Sequence, residues 1–187
     1  MEMIKLKPAF KDYLWGGTRL KKEYGMKTEL DIVAEAWELS AHPDGPARIT
    51  NGKYVGKNFI EYLDIVGKKA WGTNAQHFEQ FPILIKFIDA KQALSIQVHP
   101  NDEYALQVEK EYGKNEMWYI VDCEPGSYLY YGVNQDLTKE EYRKHIEDDT
   151  ILEVLNKVEV KKGDCFFIKA GTIHAIGEGC LICEIQQ

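Results

Sequence analysis

The chain has 187 residues, 44% hydrophobic and 28% charged, a balance that fits a water-soluble globular fold with a substantial core. Its net charge of −7 argues against a nucleic-acid partner, which needs a basic face, yet leaves a phosphorylated small molecule open, since a few lysines hold one phosphate. No apolar run approaches the ~20 residues of a membrane span and the first ten residues lack a signal-peptide core, so no membrane partner and a cytoplasmic location are expected.

In chain order, residues 1–20 carry a proline, aromatics and a WGGTRL turn, and read as an extended segment leading into a short helix that ends near Gly25. Residues 34–54 alternate and are broken by Pro43, Gly45, Pro46 and Gly52, which suggests two short strands joined by tight turns. NFIEYLDIV (58–66) has helical spacing with Asn58 as its cap. FPILIKFIDA (81–90) and ALSIQVH (93–99) are apolar runs separated by Lys91 and Gln92, and read as a hairpin. Residues 101–113 form a short helix, capped by Asn101 or Asp102 and ended by Gly113.

Residues 115–133 give two strands about a Glu-Pro-Gly turn. Residues 136–156 are helical, with Thr138 and Glu141 as a capping box and a second start at Asp148 or Asp149. The chain then returns to strand. Strands this close together leave no room for crossover helices, which excludes a parallel α/β layout. The expectation is a mainly β fold, a sandwich or barrel with inserted or flanking α-helices, forming one unit over 1–187 with a small helical insertion around 136–156.

Four cysteines, Cys123, Cys165, Cys180 and Cys183, are read as buried and reduced. CLIC has metal or redox spacing, but it lies within a strand, where its two thiols point to opposite faces.

The residues with chemistry to offer begin at Gln97 and His99, two apart and therefore on one strand face, just before Pro100. Glu116 opens the next strand, and His174 stands where a later strand meets a turn. Two imidazoles, a carboxylate and an amide oxygen would suit zinc or another divalent first-row metal with open positions for substrate. Each is equally explicable alone: His99 as a satisfied turn histidine, Glu116 as a partner for Lys114. His42, His77 and His145 show how ordinary a non-ligand histidine is.

GDCFFIKAGTIHAIG tips the balance. Its glycines at 163 and 171 and histidine at 174 resemble the second motif of the cupin (jelly-roll) barrels, with Lys169 where the motif carries proline. More broadly the chain resembles the type I, zinc-dependent mannose-6-phosphate isomerases in their short bacterial form. The resemblance rests on YLWGGTRL, AEAWELSAHPDG, FPILIKFIDAKQALSIQVHPNDEYA, GKNEMWYIVDCEPGSYLYYG and GDCFFIKAGTIHAIG, in the family's order along almost the whole chain.

That resemblance implies a cupin-like barrel and one zinc ion per chain, held by Gln97, His99, Glu116 and His174. It implies interconversion of mannose 6-phosphate and fructose 6-phosphate by proton transfer between C2 and C1 through an enediol. Lys114 matches a lysine often proposed to work in the family site, and Glu184 a family carboxylate that relays a proton. Ser95 shares the face of Gln97 and is the candidate phosphate contact, while Trp15 and Arg19 are the weakest candidates. Family members continue past the position of Gln187 with an arginine-bearing segment and a further β-domain, so that C-terminal part is expected to be absent. The alternative is a non-catalytic metal-binding cupin that holds a sugar phosphate. An iron oxygenase is disfavoured by Gln97 as a ligand, and no oligomeric state is implied.

Overall fold

The computed structural model describes residues 3–187. Its largest element is a six-stranded antiparallel sheet, in the order β2 (Ala9–Lys11), β3 (Glu35–Leu39), β5 (Leu84–Ala90), β11 (Cys180–Gln186), β6 (Glu116–Cys123), β9 (Cys165–Ile168). A three-stranded sheet has the order β10 (His174–Ile176), β7 (Tyr128–Val133), β8 (Leu155–Glu159). A small pair joins β1 (Leu6–Lys7) to β4 (Arg48–Ile49). The fold is mainly β and cupin-like, as expected.

The period of two along each strand explains the layering. On β11, Cys180 and Ile182 face inward with Ile88 of β5 and Trp118 and Ile120 of β6, and they meet Leu129 and Ile176 of the smaller sheet. That cluster is the main core. Leu181 faces the other way, where with Ala36, Phe87 and Val121 it is covered by Leu20 and Val33. Fully burying one such Leu or Ile is worth about 1.5–3 kcal/mol. A third cluster, around Ala47, Phe59 and Leu63, lies under helix α2 (Phe59–Val66).

Three helices start where their caps predict. Asn58 forms a capping box with Glu61, and Thr138 does the same with Glu141 at α4 (Lys139–Glu147). Asn101 accepts from the Tyr104 amide to open α3 (Asp102–Val108). Helix α4 and the one-turn α5 (Ile151–Val154) fill the connection between β7 and β8. Thr150, not Asp148 or Asp149, precedes α5, because Asp149 turns the chain through a left-handed φ of 57°. The first helix, α1, is a single turn over Arg19–Lys22.

Several expectations are corrected. Residues 93–99 are not the hairpin partner of β5. Both edges of β5 are occupied, by β3 and β11, so the segment runs beside β10 instead. There the Leu94 amide donates to the Ile176 carbonyl (2.9 Å), and Gln97 and His174 exchange two backbone bonds of 2.8 and 2.9 Å. The two short strands expected in 34–54 are present as β3 and β4, and β4 takes β1 as its partner. The Glu-Pro-Gly turn lies between two strands, as expected, and carries the chain from β6 in the larger sheet to β7 in the smaller one. Gly113 does not end α3, which stops at Val108.

Candidate metal centre

Glu116 is the first residue of β6 and His174 the first of β10, so one donor comes from each main sheet. His99 is brought alongside by backbone bonds between three loops. The Gly171 amide donates to the His99 carbonyl (2.8 Å), and the Lys114 amide to the Pro100 carbonyl (3.0 Å). The Gly113 amide donates to the Asp102 carboxylate (2.8 Å). Gly113 is needed here because a Cβ would lie 2.3 Å from the Asn101 carbonyl carbon. Asn115 fastens the rest: its side-chain oxygen accepts from the Ala170 amide (2.9 Å) and its amide group donates to the Gln187 side chain.

The donors converge. Nε2 of His99 lies 3.2 Å from one Glu116 oxygen, and Nε2 of His174 lies 3.7 Å from the other. One ligand atom from each of the three residues falls within 4.8 Å of the others. Nδ1 of His174 sits 2.7 Å from the Thr172 carbonyl; donating there fixes the tautomer and leaves the Nε2 lone pair turned to the site. Nε2 of His99 is buried and has no hydrogen-bond partner. A buried ring nitrogen left orphaned beside a buried carboxylate is what a divalent cation would satisfy, so these residues fit a metal ion.

The electrostatics agree. Burial opposes ionisation of Glu116, yet the His99 ring and the Lys114 ammonium, 2.6 Å away, pull its pKa down to about 2. Burial holds His174 below its ordinary value, in the neutral form that binds metal. Gln97 lies directly across from His174 and lines the same cavity. Its amide group approaches the Ser95 hydroxyl (3.4 Å) as donor, leaving its carbonyl oxygen toward other partners.

A second row, charged at its centre, lies across the inner face of the six-stranded sheet. Trp37, Lys86, Glu184, Trp118 and Phe166 stand side by side on β3, β5, β11, β6 and β9. Lys86 is 3.2 Å from Glu184 and 3.4 Å from Glu35. The Trp118 indole donates to Glu184 (2.9 Å) and the Trp37 indole to Glu35 (2.6 Å). Burial disfavours the charge on Lys86, but Glu184 and Glu35 outweigh it and hold its pKa above the usual lysine value. Glu184 is 3% exposed; burial, and then the nearby Glu116, push its pKa up despite Lys86. Sequence reasoning missed Lys86 and Glu35. The signal was there in FPILIKFIDA, where one lysine sits at an inward position of an otherwise apolar strand.

The remaining candidates lie elsewhere. Arg19 is on the outer side of the sheet, paired with Glu23 and Asp122, and its amide donates to Asp89 (2.8 Å). Trp15 packs against the main core. Lys169 is exposed, and its carbonyl closes the turn with the Thr172 amide (3.0 Å), as a proline there would also allow.

Residues 3–129 match the family model of the phosphomannose isomerase type I catalytic domain. The chain belongs to the type I phosphomannose isomerase family. Mannose-6-phosphate isomerase ManA of Bacillus subtilis is 41% identical over 192 residues, covering 100% of this chain and 58% of that protein. A mannose-6-phosphate isomerase of Streptococcus mutans is 39% identical, covering 93% of this chain and 54% of that protein. The crystal structure of the mannose 6-phosphate isomerase from Bacillus subtilis superposes with a TM-score of 0.91 at 37% identity, over 98% of this chain and 58% of that one. The chain thus spans rather more than half the length of these phosphomannose isomerase relatives. No helix among the described residues is long and apolar enough to cross a membrane.

Proposed function

We propose that this chain is the metal-binding catalytic unit of an aldose–ketose isomerase, one cupin-like domain with a helical insertion around 136–156, that interconverts mannose 6-phosphate and fructose 6-phosphate. The observation that carries the reading is the convergence of His99, Glu116 and His174 on one buried point, in a chain of this family. One zinc ion per chain is the proposed cofactor, with Gln97 as fourth ligand. Bound zinc would supply a Lewis acid that orients substrate oxygens and stabilises negative charge.

The chain's own residues supply the rest. Lys114 reaches the cavity from its rim, a quarter exposed and hydrogen-bonded to Glu116. It is the proposed carrier of the proton between C2 and C1. Lys86, clamped by two carboxylates, is a fixed positive charge facing the same cavity, suited to steady an enediolate rather than to exchange protons. One lysine cannot neutralise both carboxylates, and the high pKa of Glu184 suits it to hold and pass a proton to a substrate oxygen. Ser95, exposed at the rim, offers its hydroxyl to the phosphate. A metabolic sugar phosphate as substrate is consistent with a cytoplasmic location.

The test is isomerisation of mannose 6-phosphate by the 187-residue chain loaded with zinc, against a chelated sample and a zinc-loaded Lys114→Met variant. The reading requires turnover that the chelator abolishes and Lys114→Met cuts by ~10²-fold or more. Stoichiometric zinc without turnover would reject the isomerase and leave a sugar-phosphate-binding cupin.

A further inference from the structure

At the other end of β6 from Glu116, two free cysteines face each other. Cys123 and Cys180 are directly opposed residues of the antiparallel strands β6 and β11. The Glu124 amide donates to the Gly179 carbonyl (3.0 Å), the flanking bond of a non-hydrogen-bonded pair. Directly opposed residues share a sheet face, and at such a pair the Cα atoms lie only ~4.5 Å apart, inside the range a disulfide spans. Both thiols point toward the smaller sheet's end of the core: Cys123 Sγ donates to the Val160 carbonyl (3.5 Å) and Cys180 Sγ to the Tyr128 carbonyl (3.7 Å).

We propose that Cys123 and Cys180 are a cross-strand redox pair, closed to a disulfide by a hydroperoxide. The other thiols are excluded by position. Cys183 is three residues from Cys180 on the same strand and faces outward. Cys165 and Cys183 flank Tyr119 on either side, so they stand two strands, about 9–10 Å, apart. Cys123 is partly exposed and is the point of entry; Cys180 is fully buried, and burial pushes its thiol up to about 12, so it does not meet the oxidant first.

The sulfur of Cys123, as thiolate, attacks the O–O bond of the hydroperoxide. One oxygen passes to sulfur as a sulfenic acid and the other leaves as the alcohol, or as water from hydrogen peroxide. The Cys180 sulfur then attacks Cys123 sulfur, the S–O bond breaks, and the hydroxyl leaves as water with the Cys180 proton. Two thiols lose two electrons, and the peroxide gains them. Glu116 is seven residues away along β6, roughly 24 Å, so the bond tethers β6 to β11 without touching the metal donors.

The experiment uses the full chain carrying Cys165→Ser, which removes the exposed thiol, treated with stoichiometric hydrogen peroxide, alkylated after denaturation and digested without reductant. The expected product is one linked peptide pair joining Cys123 to Cys180, lighter by two hydrogens and reopened by dithiothreitol, with bound metal unchanged. In Cys123→Ser the same treatment leaves Cys180 alkylatable. A linkage through Cys183 overturns the proposal, and so does Cys123 over-oxidised to sulfinic acid while Cys180 remains a free thiol.

Discussion

Lys86 is buried between two carboxylates. Lys86→Met leaves Glu35 and Glu184 facing each other without a cation, which costs on the order of 3–5 kcal/mol. Urea denaturation of the metal-free chain measures this. Adding Glu35→Gln and Glu184→Gln recovers part of the loss, since the three changes share one network. Glu116 gives the pH counterpart. Its pKa is depressed from an ordinary 4.5 to about 2, so its contribution is complete above pH 4.5 and is lost as pH falls through 2. In metal-free protein, Glu116→Gln therefore lowers neutral-pH stability by up to about 3 kcal/mol and flattens the acid limb between pH 4.5 and 2. An unchanged acid limb in the variant would place the titration elsewhere.

At the scale of elements, what the sequence made legible and what it hid divide by the range of the interaction. The caps at Asn58, Asn101 and Thr138 were readable because a cap is made within three residues. The partners of 93–99 were not readable. Its alternation matches a strand, but which neighbour it takes depends on β11, some ninety residues later, claiming the free edge of β5. The same limit hid the partners of Lys86: a lysine in an apolar strand is visible in the sequence, but Glu35 and Glu184 are 51 and 98 residues away along the chain. Gly113 has the look of a local helix stop, yet the backbone of residues 100–102, eleven to thirteen residues earlier in the chain, passes against it. Gly113→Ala displaces the Lys114–Glu116 approach and should weaken zinc affinity ~10- to 100-fold in a competitive chelator titration, as loss of ligand support does. Thr138→Ala is the control. It should cost about 1 kcal/mol of stability and leave that affinity intact, because α4 lies outside the site.

For the molecule as a whole, the two sheets share one core, and the three candidate metal donors sit together where those sheets meet. Residue type and strand register put Gln97, His99, Glu116 and His174 forward as a mixed nitrogen and oxygen set, but each is also explicable alone, and it is the resemblance of short motifs that favours the set. A ligand that binds only the assembled site stabilises by mass action. Adding zinc to a hundred times its dissociation constant should raise the unfolding free energy by about 2.7 kcal/mol, and His99→Ala should erase that gain.

His99, Glu116 and His174 reach their common point from an extended segment, the larger sheet and the smaller sheet in turn. No stretch of chain shorter than the span from 99 to 174 contains them all, and neither sheet formed alone would bring them within reach. Affinity for an ion at this point would thus come into being only when β10 has closed against the 93–99 segment and the two sheets have met. On the folding pathway, the metal would act as a witness to completion, capturing finished molecules rather than guiding unfinished ones.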